Sequence, residues 1–172
     1  MFLNTVKPIG FGMQGSFWPY RNRVEVAVLD EGIGIRESLR RNPRLTLPND
    51  LGSLKLAVTP GVSGAHFKGN RRLPGQDGPW ANSGQGLYIL SEMCRQSGHF
   101  SIASGTAALL RDAGNEIECT CHFAGTLVRL EIDLSNINRL GETIKEALDR
   151  GDAKKTGAQY SGSGSLRPGT GK

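Results

Sequence analysis

Three cysteines and three histidines in 172 residues leave little for metal or nucleophile chemistry. A zinc cage takes paired Cys or His ligands at short spacing. Cys119 and Cys121 form one such pair, both on one side of a predicted strand, and no second Cys/His pair matches them. Zinc is therefore not expected. Cys94 falls on the apolar face of a predicted helix and reads as packing. His66, His99 and His122 stand alone and read as ordinary surface or core residues. No stretch resembles a signal peptide or a membrane span, so a cytoplasmic protein with reduced thiols is expected.

Acid is absent from one region in particular: no Asp or Glu precedes Glu25. Base is in excess, with a net charge of +5 and a pI near 9.4. The basic residues are scattered, apart from Arg36, Arg40, Arg41 and Arg44, and aromatics do not interleave with them. A solvated helix face is expected there, and no nucleic-acid partner. A P-loop is missing too. The final Gly169-Thr170-Gly171-Lys172 has Leu166 where the motif needs its first glycine. Hydrophobic content is a low 37%, yet the length suits one domain with a real core.

Glycine is what the chain has in quantity, 24 in all, and several sit where they carry meaning. Residues 24 to 29, Val-Glu-Val-Ala-Val-Leu, alternate as a half-buried strand does. Counting by two, Val24, Val26, Val28 and Asp30 share a face. A carboxylate at the end of an apolar row accepts hydrogen bonds only and is expensive to bury without a donor. Gly32 and Gly34 follow, flanking Ile33, and allow close approach of another group. An acceptor at the rim of an apolar slot, floored by bare backbone, suits a flat heterocycle carrying an amino group.

A second glycine pair lies in Asn82-Ser83-Gly84-Gln85-Gly86-Leu87, at the opening of a helical pattern. Exposed backbone donors at a helix start make an anion site. A third element is Gly125-Thr126, followed by Val128, Leu130, Ile132 and Leu134 in strict alternation. Thr126 is in phase with that row, so its hydroxyl faces the covered side of the sheet.

Around these pieces the pattern predicts a first strand over 12–20, a turn at Tyr20-Arg21-Asn22-Arg23, and a short helix over 35–41 closed by Pro43. Pro8 limits residues 1–10 to a turn or two of helix. Asp50 is expected to cap a helix reaching Ala57. From Pro60 to Ser83 the chain reads as a long loop, a candidate lid with Lys68, Arg71 and Arg72. A helix over 86–97 buries Leu87, Leu90, Met93 and Cys94. Strands over 99–103, 106–111 and 117–122 follow, with turns at Gly105 and at Ala113-Gly114-Asn115. A last strand runs from Thr126 to Leu134. Short turns between consecutive strands predict an α+β two-layer sandwich, a mainly antiparallel sheet with helices on one face. Ile137, Leu140, Ile144 and Leu148 mark an amphipathic helix over 135–150, with Glu146 and Arg150 as a supporting pair. It packs on its own domain or against a partner or second copy. Residues 151–172 have the Gly/Ser-rich composition of a disordered tail.

Taken in order, these elements resemble the GHKL ATPase superfamily: gyrase-type topoisomerases, ninety-kilodalton heat-shock chaperones, histidine kinases and MutL. The resemblance spans about Met13 to Leu134. Asp30 to Gly34 is similar to the family's first glycine box, and Gly84 to Leu87 to its GxGL box. Gly125-Thr126 is similar to the late Gly-Thr element. Thr59-Pro60-Gly61-Val62-Ser63-Gly64 is similar to a segment of bacterial ATP-binding proteins related to anti-sigma-factor kinases. The resemblance implies a Bergerat-type sandwich over residues 1–134 that binds ATP or ADP. It implies that Asp30 accepts the adenine amino proton, supported by Thr126, and that Gly84 and Gly86 bring backbone N–H groups to the phosphates, with Ser83, Gln85 and Leu87 in the same nucleotide site. Gly32, Ile33 and Gly34 complete the adenine side. The family's preceding helix, with an acid to polarise water and an asparagine to hold magnesium, has no counterpart here beyond Asn4. Nucleotide binding without turnover is expected, in bacterial signalling with a protein partner or homodimer. The alternatives are a non-enzymatic interaction module and, third, a MutL- or gyrase-like protein.

Overall fold

Alternating valines put β3 (Arg23–Asp30) in the middle of a five-stranded sheet. Its neighbours are β2 (Phe11–Trp18) and β5 (Asn115–Asp133); β1 (Leu3–Lys7) lies beyond β2, and β4 (Gly98–Asp112) lies beyond β5. Every neighbouring pair is antiparallel. The computed structural model describes residues 3–7, 11–64, 67, 84–95, 98–112, 114–135 and 140–155.

β2 and β3 form the expected hairpin. A 3-10 turn over Pro19–Arg21 ends at Asn22, which takes the left-handed conformation (φ 51°) that Asn tolerates better than most residues. β1 corrects the reading of residues 1–10 as a short helix. Its five residues end before Pro8, as an edge strand can, and pair with β2 from Leu3↔Gly15 to Lys7↔Phe11.

Three helices follow the expected pattern closely: α1 (Gly34–Arg40), α2 (Asp50–Ala57) and α3 (Gly86–Cys94). The cap of α2 is a correction. Asn49 accepts the Gly52 N–H through its side chain at 2.7 Å, the usual N-cap bond, and Asp50 turns elsewhere. The helices bury Leu54, Val58 and Cys94 against Phe100, Ile102, Ala107 and Leu109 of β4 and the Val128, Leu130, Ile132 row of β5. The layers are thus helices on one face and open sheet on the other: the two-layer α+β sandwich.

Gly105 and Gly125 do not break strands. The expected strands over 99–103 and 106–111 are one strand, β4, and those over 117–122 and 126–134 are one strand, β5. Register shifts on either side of Gly105 mark a bulge there, and its positive φ (63°) lets the chain kink and stay paired. The kink is deep enough to bring His99 Nδ1 within 3.1 Å of Asp112 Oδ1 near the other end of the same strand.

The C-terminal helix, α4 (Leu140–Lys155), runs past the expected end at 150. It packs on α3: Ala147 is fully buried, Arg150 Nη2 lies 3.2 Å from Glu92, and a Cβ at Gly151 would sit 3.2 Å from the Tyr88 ring. Its apolar face is therefore used within the domain. Ile137 and the tail from residue 156 lie outside the described residues. Among the described residues, no helix is long and apolar enough to cross a membrane.

Candidate functional site

The valine row of β3 ends at Asp30, and the residue directly opposite on β5 is Thr126. Paired residues leave a sheet on the same side. Here that is the side of Val128 and Ile102, where the helices pack. Carboxylate and hydroxyl thus sit side by side at the end of an apolar row, as the alternation predicts. Asp30 is half-buried. Its Oδ1 accepts the Gly32 N–H at 2.7 Å, while Oδ2 has no partner among the described residues.

Three glycine positions shape this end of the sheet. Gly125 (φ 96°) lies so close to β3 that a Cβ there would collide with the Asp30 carbonyl oxygen. Gly34 (φ 76°) starts α1, and a Cβ on it would stand 2.7 Å from Ser104 Oγ. Gly32 presses on the Asp30 carboxylate itself. Ile33, between Gly32 and Gly34, is 57% exposed and lines the cleft described below.

Ser104 is the residue that the sequence reading missed. Its buried hydroxyl donates to the Gly125 carbonyl at 2.6 Å and accepts the Ile35 N–H at 3.0 Å. It therefore ties the first glycine box to the Gly-Thr element. Asp50 acts one step further out. Its Oδ2 accepts both the backbone N–H (2.9 Å) and the hydroxyl (2.8 Å) of Thr106, and its Oδ1 lies 3.5 Å from Arg36. The Thr106 backbone bond, then its hydroxyl, hold the Asp50 carboxyl below its ordinary value, with help from Arg36. Arg36 also donates to the Leu47 and Pro48 carbonyls, so it is a clamp and not part of a solvated face. A cleft of about 390 Å³ opens beside this group, lined by Gly32 to Gly34, Arg36, Asp50 and Phe123 among others. Asp30 and Thr126 lie outside its lining.

The second box sits at the start of α3. Gly84 (φ 70°) presses on the Val62 carbonyl, and its own carbonyl accepts the Gly61 N–H at 3.0 Å. The Thr59–Gly64 segment is thereby bonded to the box. Gln85 is buried. A Cβ at Gly86 would meet no described atom within 4 Å. Leu87 and Ile35, each following its glycine pair, pack on the same two core clusters. The two boxes are thus anchored to one core. Ser83, Asn82, His66 and the lid candidates Lys68, Arg71 and Arg72 lie outside the described residues.

An adenine nucleotide suits these residues: a free carboxylate oxygen beside a hydroxyl at the adenine end, and bare backbone at a helix start for phosphate. Glu92, the acid of α3, is already held by Arg95 and Arg150, and Glu37 of α1 by Arg40. No group of three His, Cys, Asp or Glu converges among the described residues. No protein family, curated protein or solved structure matches this chain.

Proposed function

We propose that this chain binds adenine nucleotide as a GHKL-type, histidine-kinase-like domain and, in these 172 residues, does not hydrolyse it. The observation that carries the reading is Asp30 standing directly across from Thr126 at the end of an apolar row. A purine ring slides along such a row, its amino group donating to Asp30 Oδ2 while Thr126 supports the same edge. Its phosphates lie toward the N-terminal turn of α3, where backbone N–H groups and the helix dipole favour negative charge.

Binding without turnover follows from the same inventory. Phosphoryl transfer needs a base to orient the attacking group and a cation to hold the phosphates. Of the acids near the two boxes, Glu37, Asp50 and Glu92 are each engaged with an arginine, and Glu31, inside the first box, is exposed. In the cell such a domain serves in bacterial signalling, holding nucleotide while it meets a protein partner or a second copy.

The test is calorimetry with ATP and ADP, with and without magnesium, on wild type and Asp30→Asn. The expected result is binding that is indifferent to magnesium and at least about tenfold weaker in Asp30→Asn, the cost of one lost charged hydrogen bond. Magnesium-dependent turnover that disappears in Asp30→Ala would sink the claim of binding without hydrolysis. Failure of both nucleotides to bind would favour the second reading, an interaction module that keeps the sandwich as scaffold. One feature favours that reading: Met13 and Phe17, opposite Val28 and Val24 on the helix-bearing face, are 43% and 50% exposed.

A further inference from the structure

The sheet face turned away from the helices carries a cleft of about 550 Å³, lined by Trp18, Arg21, Arg23, Glu25, Arg129 and Glu131. In the sequence Arg23 and Glu131 stand 108 positions apart; the strand register gathers them. Trp18 is opposite Arg23 on β3, and Glu25 is opposite Glu131 on β5. The scatter of basic residues that argues against a nucleic-acid surface belongs to the linear chain, not to this face.

Two glutamates directly opposite one another repel, and the arginines resolve that. Arg129 lies 2.7 Å from Glu25 and 3.3 Å from Glu131, and Arg23 bonds Glu131 as well. His99 approaches Glu131 from β4. Both carboxylates are thus spent inside the sheet, while Arg23 and Arg129 keep 41% and 39% of their side chains exposed. Arg21 is exposed and has no bonded partner among the described residues. Beside it Trp18 leaves half its surface in water, and Tyr20 is wholly exposed. The lining offers three guanidiniums against two carboxylates, together with an indole face; Asp133, opposite Arg23, adds a third carboxylate at the edge of the same face.

We propose that this face binds single-stranded nucleic acid, with a base stacked on Trp18 and the adjoining phosphate on Arg21. An aromatic on a flat sheet next to uncommitted guanidinium is the arrangement by which unpaired bases are held. Paired bases in a duplex keep their faces stacked and cannot use the indole. The net charge of +5 adds a long-range pull toward phosphate.

The experiment is fluorescence anisotropy of the full chain with a labelled oligothymidylate of about 15 nucleotides, across a salt series. Trp18→Ala is expected to weaken binding at least about tenfold by losing the stack. Arg21→Ala is expected to lower the slope of log affinity against log salt by about one phosphate contact. Ile117→Ala, near the start of β5 and opposite Leu110, leaves affinity unchanged, as does excess unlabelled ATP, which separates this face from the Asp30 site. Circular dichroism confirms that each variant is folded. Three results would overturn the proposal: no binding at low salt, binding equal to wild type in both Trp18→Ala and Arg21→Ala, or displacement by polyglutamate as readily as by unlabelled oligonucleotide. The second would assign the attraction to basic residues elsewhere in the chain, and the third to charge alone.

Discussion

Ser104 holds two of the three glycine elements together through one hydroxyl, and its worth can be measured. Ser104→Ala leaves the partly buried Ile35 N–H without its acceptor and removes a donor from the buried Gly125 carbonyl. Stranding a buried backbone group costs about 1–3 kcal/mol, so urea denaturation of Ser104→Ala should show a loss in that range with unchanged slope. A loss under about 0.5 kcal/mol would mean that water replaces the hydroxyl freely. Asp30 and Thr126 were legible from the alternation of their strands, because a period of two fixes which side chains share a face. Ser104 was not legible. It lies 69 positions from the amide it serves, and no local spacing encodes a partner that far away. Ile33 is legible only as a member of its glycine box: its exposure, and its place in the lining of the neighbouring cleft, depend on how the chain around it folds.

At the scale of elements, Gly105 taught the most. Positive φ in a glycine marks a reversal or a bulge equally well, so the sequence pointed to a turn. The long-range pairing with β5 keeps the strand going. Asp50 secures the kink from α2, holding Thr106 through two hydrogen bonds, and this makes the link pH-dependent. A carboxyl whose native pKa is depressed contributes stability that is fully present above its unfolded pKa and is lost as pH falls through the native one. Asp50 is of this kind. Asp50→Ala should therefore be less stable than wild type by about 1–3 kcal/mol at neutral pH, with the gap narrowing as pH falls below about 4. Denaturant titrations at several pH values check it, and a gap independent of pH would refute the carboxylate's part. Helices α1 and α2 were legible to within a residue at each end, since glycine, Asn and Pro punctuate them. The C-terminal helix overran its expected end because Gly151, a residue that normally stops helices, is needed small against Tyr88.

For the whole molecule, the helix layer covers β4 and β5 and thins out over β3. Beyond it, Met13 and Phe17 carry the covered face into water. An exposed apolar strip of this kind binds hydrophobic dyes and partners. Phe17→Lys should reduce ANS fluorescence of the native chain while changing stability by less than about 1 kcal/mol, as befits a half-exposed side chain. Unchanged dye binding would locate the accessible apolar surface elsewhere. The architecture itself was legible, since short turns between alternating strands leave few topologies open. The candidate site rests on register, with one acid opposite one threonine and two glycine boxes on a common core. The most direct measurement is an amide-resolved NMR titration with ADP. Adenine nucleotide held as proposed shifts the amides of Asp30, Gly32, Gly84, Gly86 and Thr126 together, and leaves Glu25, Arg129 and Glu131 on the opposite face unmoved. Shifts confined to that opposite face, or none at saturating nucleotide, would contradict an adenine site at Asp30.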